Sequence, residues 1–332
     1  MTPEAGARLF GLAGRLDDPI VVAIGVGAAG ALAIGGAVTL ALSARAWHAD
    51  TNRELRRRWI TWAILAPIEF ACVVLGAVPT AIGVMILSAL CYREFARATG
   101  VFREPLISLV FLGAIVTAAF GAVDNRFAMF TAVAPCAAVL IAAVCLARDD
   151  PRGYLQRVAL GVVGVVLIGL GPAYLSMLTI DDHAAPLLLM LLGAVALGDV
   201  GAFTVGKLLR GPKLAPHVSP NKTISGSLGG LAVTVTFVAL VAHEIYHGSA
   251  FDRAPLLIGL GLVVAVAGQL GDLVLSAIKR DLGLKDFGTT LPGHGGLLDR
   301  FDSIILTAPS AFYYVAYFHG VGIGSEIRVL TG

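Results

Sequence analysis

The run PLLIGLGLVVAVAGQLGDLVLSAI, residues 255–278, decides the fold. Its 24 residues hold one charge, Asp272. A helix rising 1.5 Å per residue over that length crosses the ~30 Å of hydrocarbon in a bilayer. The apolar residues are continuous rather than alternating, which argues against a barrel strand. A helix satisfies its own backbone in lipid, where no water is present to do so. About ten such runs follow one another along the chain, roughly 19–44, 59–78, 79–92, 105–122, 127–147, 158–180, 186–206, 226–247, 255–278 and 303–322. The third is the shortest. With 57% hydrophobic residues, 14% charged and a mean hydropathy of +0.85, the chain has too little polar surface for a soluble domain. The expected fold is all-α, a polytopic membrane bundle of about ten spans. It divides into a scaffold or lipid groove over 1–157 and a catalytic region with long polar loops over 158–332.

Charge orients this bundle. If the first span runs outside to inside, nineteen of the 24 Lys and Arg fall on inner loops. The bias places both termini outside and the long polar loops in the cytoplasm, with the cell inner membrane as the expected location. The net charge of +2 conceals the asymmetry. No cleavable signal peptide is evident, because the first apolar run is long and lacks a basic lead. Residues 5–16 read as a short interfacial helix with Leu9, Phe10, Leu12 and Leu16 to one side. Cys72, Cys91, Cys136 and Cys145 lie in or at the ends of spans without metal spacing, and read as small buried hydrophobes. Glu69, mid-span after Pro67, has no partner that the sequence names.

Two motifs invite other readings. Gly25-Val-Gly27-Ala-Ala-Gly30 matches a dinucleotide fingerprint, but it sits inside an apolar run with no preceding strand, so it reads as small-residue helix packing. His243-Glu244-Ile-Tyr-His247 places two imidazoles on one helix face, the arrangement of an intramembrane zinc protease. It falls at the outer end of its span, and Asp272 belongs at the opposite end of the next helix. The nearby outer acids Asp181, Asp182 and Asp252 are in loops.

The densest polar segment is SAIKRDLGLKDFGTTLPGHGGLLDRFD, residues 276–302, with four basic residues, four acidic ones and a His. Asp272, Ser276 and Lys279 share a helix face. Asp299 and Asp302, spaced i, i+3, converge at the start of the last span. Carboxylates at membrane depth are functional candidates by default. Oxygen ligands without Cys or paired His favour a hard cation such as Mg²⁺. Lys279, Arg280, Lys285 and Arg300 suit phosphates, and the glycines of the turn let backbone approach a substrate. A second stretch, Asp199 through Lys207, Arg210, Lys213, Ser219, Lys222 and Thr223, adds bases and hydroxyls on the same side. Acidic metal ligands among phosphate-binding cations point to metal-assisted phosphoryl or nucleotidyl transfer.

The pattern Ser276-x-x-Lys279-Arg280-x4-Lys285-Asp286-x-Gly288-x3-Pro292-x-His294-Gly295-Gly296-x2-Asp299-Arg300-x-Asp302 resembles the signature of the phosphatidate cytidylyltransferases, or CDP-diacylglycerol synthases. Asp199-x-Gly-Ala-Phe-x-x-Gly206-Lys207 and Ser219-Pro-x-Lys222-Thr223 resemble two further motifs of that family. The likeness covers roughly the C-terminal 150 residues. It implies condensation of CTP with a phospholipid phosphate, phosphatidic acid, by a polytopic homodimer that needs Mg²⁺, with a second ion such as K⁺ associated with the site. Nucleic acid is not among the implied partners. Carried over by position, Asp272 and Asp299 become metal ligands with Asp302 assisting, and Lys222, Lys279, Arg280 and Lys285 become phosphate binders. Ser219, Thr223 and His294 position substrate; Asp199, Ser276 and Arg300 belong to the binding set, and Asp286 to the catalytic one. The family has Glu where this chain has Leu275 and Ser225, which points to a paralogue with a different acceptor. The alternatives are a CTP-dependent lipid kinase of polyprenol or phytol type, a zinc protease built on His243, Glu244 and His247, and a transporter without nucleotide turnover.

Overall fold

Each apolar run becomes a helix for the reason already given, that backbone in lipid must bond to itself. The computed structural model describes residues 3–11, 15–44, 49–291, 295–320 and 330. The elements are α1 (Pro3–Phe10), α2 (Pro19–Ala44), α3 (Ala49–Leu75), α4 (Ala77–Thr99), α5 (Pro105–Val123), α6 (Phe127–Leu146), α7 (Tyr154–Val163), α8 (Gly171–Met177), α9 (Ala184–Leu209), α10 (Ile224–Ile245), α11 (Ala254–Asp281), α12 (Leu298–Phe301) and α13 (Ile304–Phe318). A π-helical turn over Gly164–Leu170 joins α7 to α8, so the two act as one span from Tyr154 to Ile180. Among the described residues, nine helices are long and apolar enough to cross a membrane. The tenth apolar run forms α13, of 15 residues. The chain is an all-α, polytopic membrane bundle.

The third run is longer than its apolar stretch suggests. α4 continues through Arg93, Glu94 and Arg97 to Thr99, ending on Gly100 in the left-handed conformation. Apolarity marks where a helix meets lipid and not where it stops, and Glu94 is buried by a loop from far along the chain.

The core joins α4, α5 and α6 to the 154–180 span, α9, α11 and α13, with Phe95, Phe111, Ile168, Leu187, Leu260 and Phe312 fully buried. Large apolar side chains such as Leu40, Val139, Phe203 and Leu240 point outward. That outward face suits lipid and no aqueous solvent. Gly25 in α2 meets the ring of Phe70 on α3, so the fingerprint-like motif serves helix packing. In α1, Leu9 is buried and Phe10 exposed, so the expected single apolar side is divided; Leu12 lies outside the described residues. Leu9 is held instead by close approach of its carbonyl to Gly76, at φ 125°, where a side chain would collide. Cys91 and Cys145 are buried, but Cys136 is exposed on the outward side of α6.

Polar groups sort to the two ends of the bundle. One end gathers the start of α3, the ends of α4, α9 and α11, and the 282–302 loop. The other gathers the turns near 76, 124, 181 and 250, where Arg8 donates to the Ala122 carbonyl, Arg15 to those of Val73 and Val74, and Arg126 pairs with Asp124 at 2.9 Å. Between α9 and α10 a small antiparallel hairpin, β1 (Lys213–Ala215) and β2 (Ser219–Thr223), is the one sheet among the described residues. It folds back because β2 runs directly into α10, whose N-cap is Thr223.

Candidate active site

The site is assembled at the basic end from α9, the hairpin, α11 and the 282–302 loop. Thr223 accepts the Gly226 amide at 3.1 Å, capping α10 and fixing the direction of β2. That places Lys222 beside α11, where its ammonium meets the Asp272 carboxylate at 2.5 Å. Ser276, one turn further along α11, donates to the other Asp272 oxygen at 3.1 Å. Residues predicted from two separate segments, the hairpin and α11, therefore converge.

Asp302 is buried, and its Oδ1 accepts the Ser303 amide at 2.8 Å. Burial pushes its carboxyl well above the ordinary carboxylate range; the charges of Asp272 and Asp199 add to this and Lys279 opposes it. Asp199, from α9, lies in the same field, as do Lys222 and Arg300. The charges of Asp199 on α9, Asp272 on α11 and Asp302 at the start of the last helix thus act on one another, although Asp199 is exposed and Asp302 buried. Close approach is possible because Gly271 lies against the Asp302 carbonyl, where a Cβ would come within 2.5 Å.

Asp299 is placed differently. Its side chain is 1% exposed, and Oδ1 takes the Lys279 ammonium at 2.8 Å. Oδ2 accepts the amides of Phe287 and Gly296 at 2.9 and 3.0 Å. All these partners are internal, so the residue knots both arms of the loop to α11. Lys279, also buried, is committed to Asp299 and lies 5.7 Å from the Phe287 ring centre.

The sequence reading missed Glu94. It comes from α4, far from the signature, yet it is 5% exposed and its two oxygens accept the amides of Leu297 and Leu298 at 2.9 and 2.8 Å. Two amides of the loop meet Asp299 and two meet Glu94. Gly296 sits between these acids; a Cβ there would stand 2.5 Å from Glu94 Oε2 and 2.9 Å from Asp299 Oδ2. The only signal in the sequence is a lone acid between Arg93 and Arg97 at a helix end, which ordinarily reads as a solvated charge.

The remaining predicted residues line the rim. Arg280 donates to the carbonyls of Val218 and Leu284 at 3.3 and 2.9 Å, bridging the hairpin to the loop. Lys285, Asp286 and Arg300 are exposed, with the Asp286 carboxylate close to Gly295. Ser219 begins β2 opposite Ala215. Lys207 lies over the Phe203 ring, and Lys213 is exposed. His294 lies outside the described residues. The two departures separate spatially: Leu275 is fully buried in the apolar core, whereas Ser225 donates to the Arg210 carbonyl at the rim. One Glu69 oxygen is buried without a hydrogen bond among the described residues.

The donor set of Asp199, Asp272 and Asp302 is oxygen only, as a hard divalent cation requires. The acids lie within one another's fields yet are not drawn together, and Lys222 holds Asp272. Among the described residues, the groups of three with ligating atoms within 4.8 Å of one another are both elsewhere: Asp181, His183 and His319, and His243, His247 and Asp252. In the second group Asp252 stands 2.6 Å from His243 on α10 and 3.6 Å from His247, which lies in the turn after α10 ends at Ile245, so the two imidazoles do not share a helix face as expected.

Acids and bases gathered at one end of a polytopic membrane bundle are the setting of a membrane-embedded nucleotidyltransferase. The chain belongs to the cytidylyltransferase family, whose model matches residues 56–318. It is 32% identical to the phosphatidate cytidylyltransferase of Brucella melitensis over 280 residues, 82% of this chain and 98% of that one. To the Bacillus subtilis phosphatidate cytidylyltransferase it is 29% identical over 275 residues, 80% and 99% of the two chains. It is also 39% identical to the protein YnbB of Escherichia coli over 199 residues, 58% of this chain and 65% of that one.

Proposed function

We infer that this enzyme transfers CMP from CTP to the phosphate of phosphatidic acid, giving CDP-diacylglycerol and pyrophosphate. The observation that carries the reading is the meeting of Lys222 with Asp272, within electrostatic reach of Asp199 and Asp302, at the basic end of the bundle. The named relatives from Brucella and Bacillus, aligned over nearly their whole length, support the same reaction.

In the reaction a lipid phosphate oxygen bonds to the α-phosphorus of CTP, and the bond from that phosphorus to the bridging oxygen breaks. The pyrophosphate leaves with the electron pair. Little covalent chemistry falls to the protein, so its work is positioning and charge neutralisation. Lys222 is placed to move from Asp272 to a phosphate oxygen as substrate enters. Arg280, Lys285 and Arg300 hold the polyphosphate from the rim. Asp299 and Lys279 act on the substrate indirectly, by fixing to α11 the loop that carries Lys285 and Arg300. The oxygen donors Asp272, Asp302 and Asp199 fit Mg²⁺, whose chemistry when bound is neutralisation of phosphate charge and alignment of attack with departure. A second, monovalent ion such as K⁺ is part of the proposal by family likeness alone.

The charge bias supports a cytoplasmic cleft with both termini outside, in the inner membrane. The acyl chains stay between spans while the headgroup meets CTP at the surface. A homodimer is part of the proposal by family likeness.

The test is purified protein with CTP labelled at the α- and γ-phosphates, Mg²⁺ and phosphatidic acid in mixed micelles. The expected products are labelled CDP-lipid and pyrophosphate in equal amounts. Release of CDP with label moving from the γ-phosphate to lipid would replace the reading by a lipid kinase. Turnover of no lipid phosphate would end it.

A further inference from the structure

The end of the bundle opposite the cleft carries a second group of ligating side chains, of a different chemical kind. Asp181 follows the 154–180 span, His183 caps α9, and His319 caps the end of α13. Three separate elements thus bring one carboxylate and two imidazoles together, with ligating atoms all within 4.8 Å of one another. Tyr246, at the end of α10, closes the group from below. Its ring centre is 5.5 Å from that of His183 and 4.6 Å from that of His319.

Two observations say that this group is not satisfied by its own members. The first is spacing. His183 Nδ1 is 3.6 Å from Asp181 Oδ1, and His319 Nε2 is 3.9 Å from Asp181 Oδ2. Direct hydrogen bonds would close to about 2.7–3.2 Å. Around a tetrahedral ion with bonds of about 2.0–2.1 Å, neighbouring ligand atoms stand about 3.3–3.4 Å apart. The gaps suit an ion between the groups better than a proton.

The second is an orphan. The Asp181 side chain is 1% exposed, and Oδ1 is used by the His183 amide at 2.7 Å. Oδ2 is buried, and its polar neighbour there, the Tyr246 hydroxyl, is aimed at it without closing to full hydrogen-bond geometry. A buried carboxylate oxygen whose polar neighbours stand off in this way is under-satisfied, and an ion bound there would complete it. The imidazoles are partly open, 44% exposed at His183 and 24% at His319, so an ion has a route in.

We propose that Asp181, His183 and His319 form a Zn²⁺-class site at the non-catalytic end of the bundle, leaving a fourth position to water. Mixed imidazole and carboxylate ligation suits zinc, whereas the oxygen-only set in the cleft suits magnesium. The ion would staple the end of α13 to the turn before α9. α13 is the helix that follows Asp302 at the other end, so the site braces the cleft's last helix without taking part in transfer.

The experiment uses full-length protein in detergent, stripped by chelator and then dialysed against limiting ZnCl₂, with MgCl₂ as a parallel arm. Bound metal per chain and thermal stability are read together. One Zn²⁺ per chain and a Zn²⁺-dependent rise in Tm are expected, with no such rise in Mg²⁺. Asp181→Asn and His319→Gln should each weaken Zn²⁺ binding about 10-fold or more. Asp181 is buried, so His319→Gln, at a partly open helix end, keeps the test interpretable if the first variant misfolds. His247→Ala, in the neighbouring group, should leave binding unchanged. The proposal is overturned if no Zn²⁺ binds, or if His247→Ala abolishes binding that His319→Gln retains. Both site variants should keep their CTP turnover.

Discussion

Glu94 accepts the Leu298 amide at 2.8 Å across 204 positions of sequence. The same carboxylate takes the Leu297 amide, so a helix outside the signature holds the start of α12. The N-terminal spans are therefore tied directly to the loop that carries Asp299, and the cleft depends on them.

Glu94→Gln should test this tie. Charge-assisted hydrogen bonds contribute roughly 1.5–3 kcal/mol each, and the amide replaces one acceptor oxygen by a donor that faces an N–H. CTP turnover should fall about tenfold or more while the protein still extracts and elutes as a folded species. Turnover within twofold of the parent would remove Glu94 from the machinery of the loop.

Gly296→Ala puts a methyl where only hydrogen fits, 2.5 Å from Glu94 Oε2. The Glu94 and Asp299 carboxylates are pinned by their own amides and cannot give way cheaply. A loss of about 1–3 kcal/mol is expected, read as a lower Tm, along with near-complete loss of activity. An unchanged melting profile would mean the loop is looser than described.

Asp272→Asn should abolish turnover with little change in Tm, because Asp272 is only partly buried and its partner Lys222 can reach water. Asp299→Asn should do both, lowering activity and Tm together, since it strands the buried Lys279 ammonium. If the two variants behaved alike in both measurements, the distinction between a substrate-side acid and a loop-side acid would fail.

His243→Ala and His247→Ala should leave CTP turnover unchanged. Both imidazoles face Asp252 at the end of the bundle away from the cleft. A large loss in either variant would link that end to the transfer reaction.

Much of the fold was legible from residues 255–278 and their counterparts, because continuous apolarity over a bilayer's thickness leaves the backbone one solution. The α4 boundary was not, since the apolar run ends before the helix does. The shared face of Asp272 and Ser276 was readable from their spacing, but the arrival of Lys222 from the hairpin was not. Glu94 was invisible, as one acid between two arginines looks the same whether water or a loop surrounds it.

The sequence by itself determined that this chain is a membrane helix bundle, which of its ends is basic, and which cytidylyltransferase motifs it carries, because hydropathy, charge and motif spacing are local properties. Only the tertiary structure decided that Asp272 pairs with Lys222 whereas Asp299 and Glu94 each accept two backbone amides. It also brought an aspartate and two histidines from three elements together at the far end. Hydrogen-bond partners and burial depend on residues hundreds of positions apart, and no local pattern encodes them.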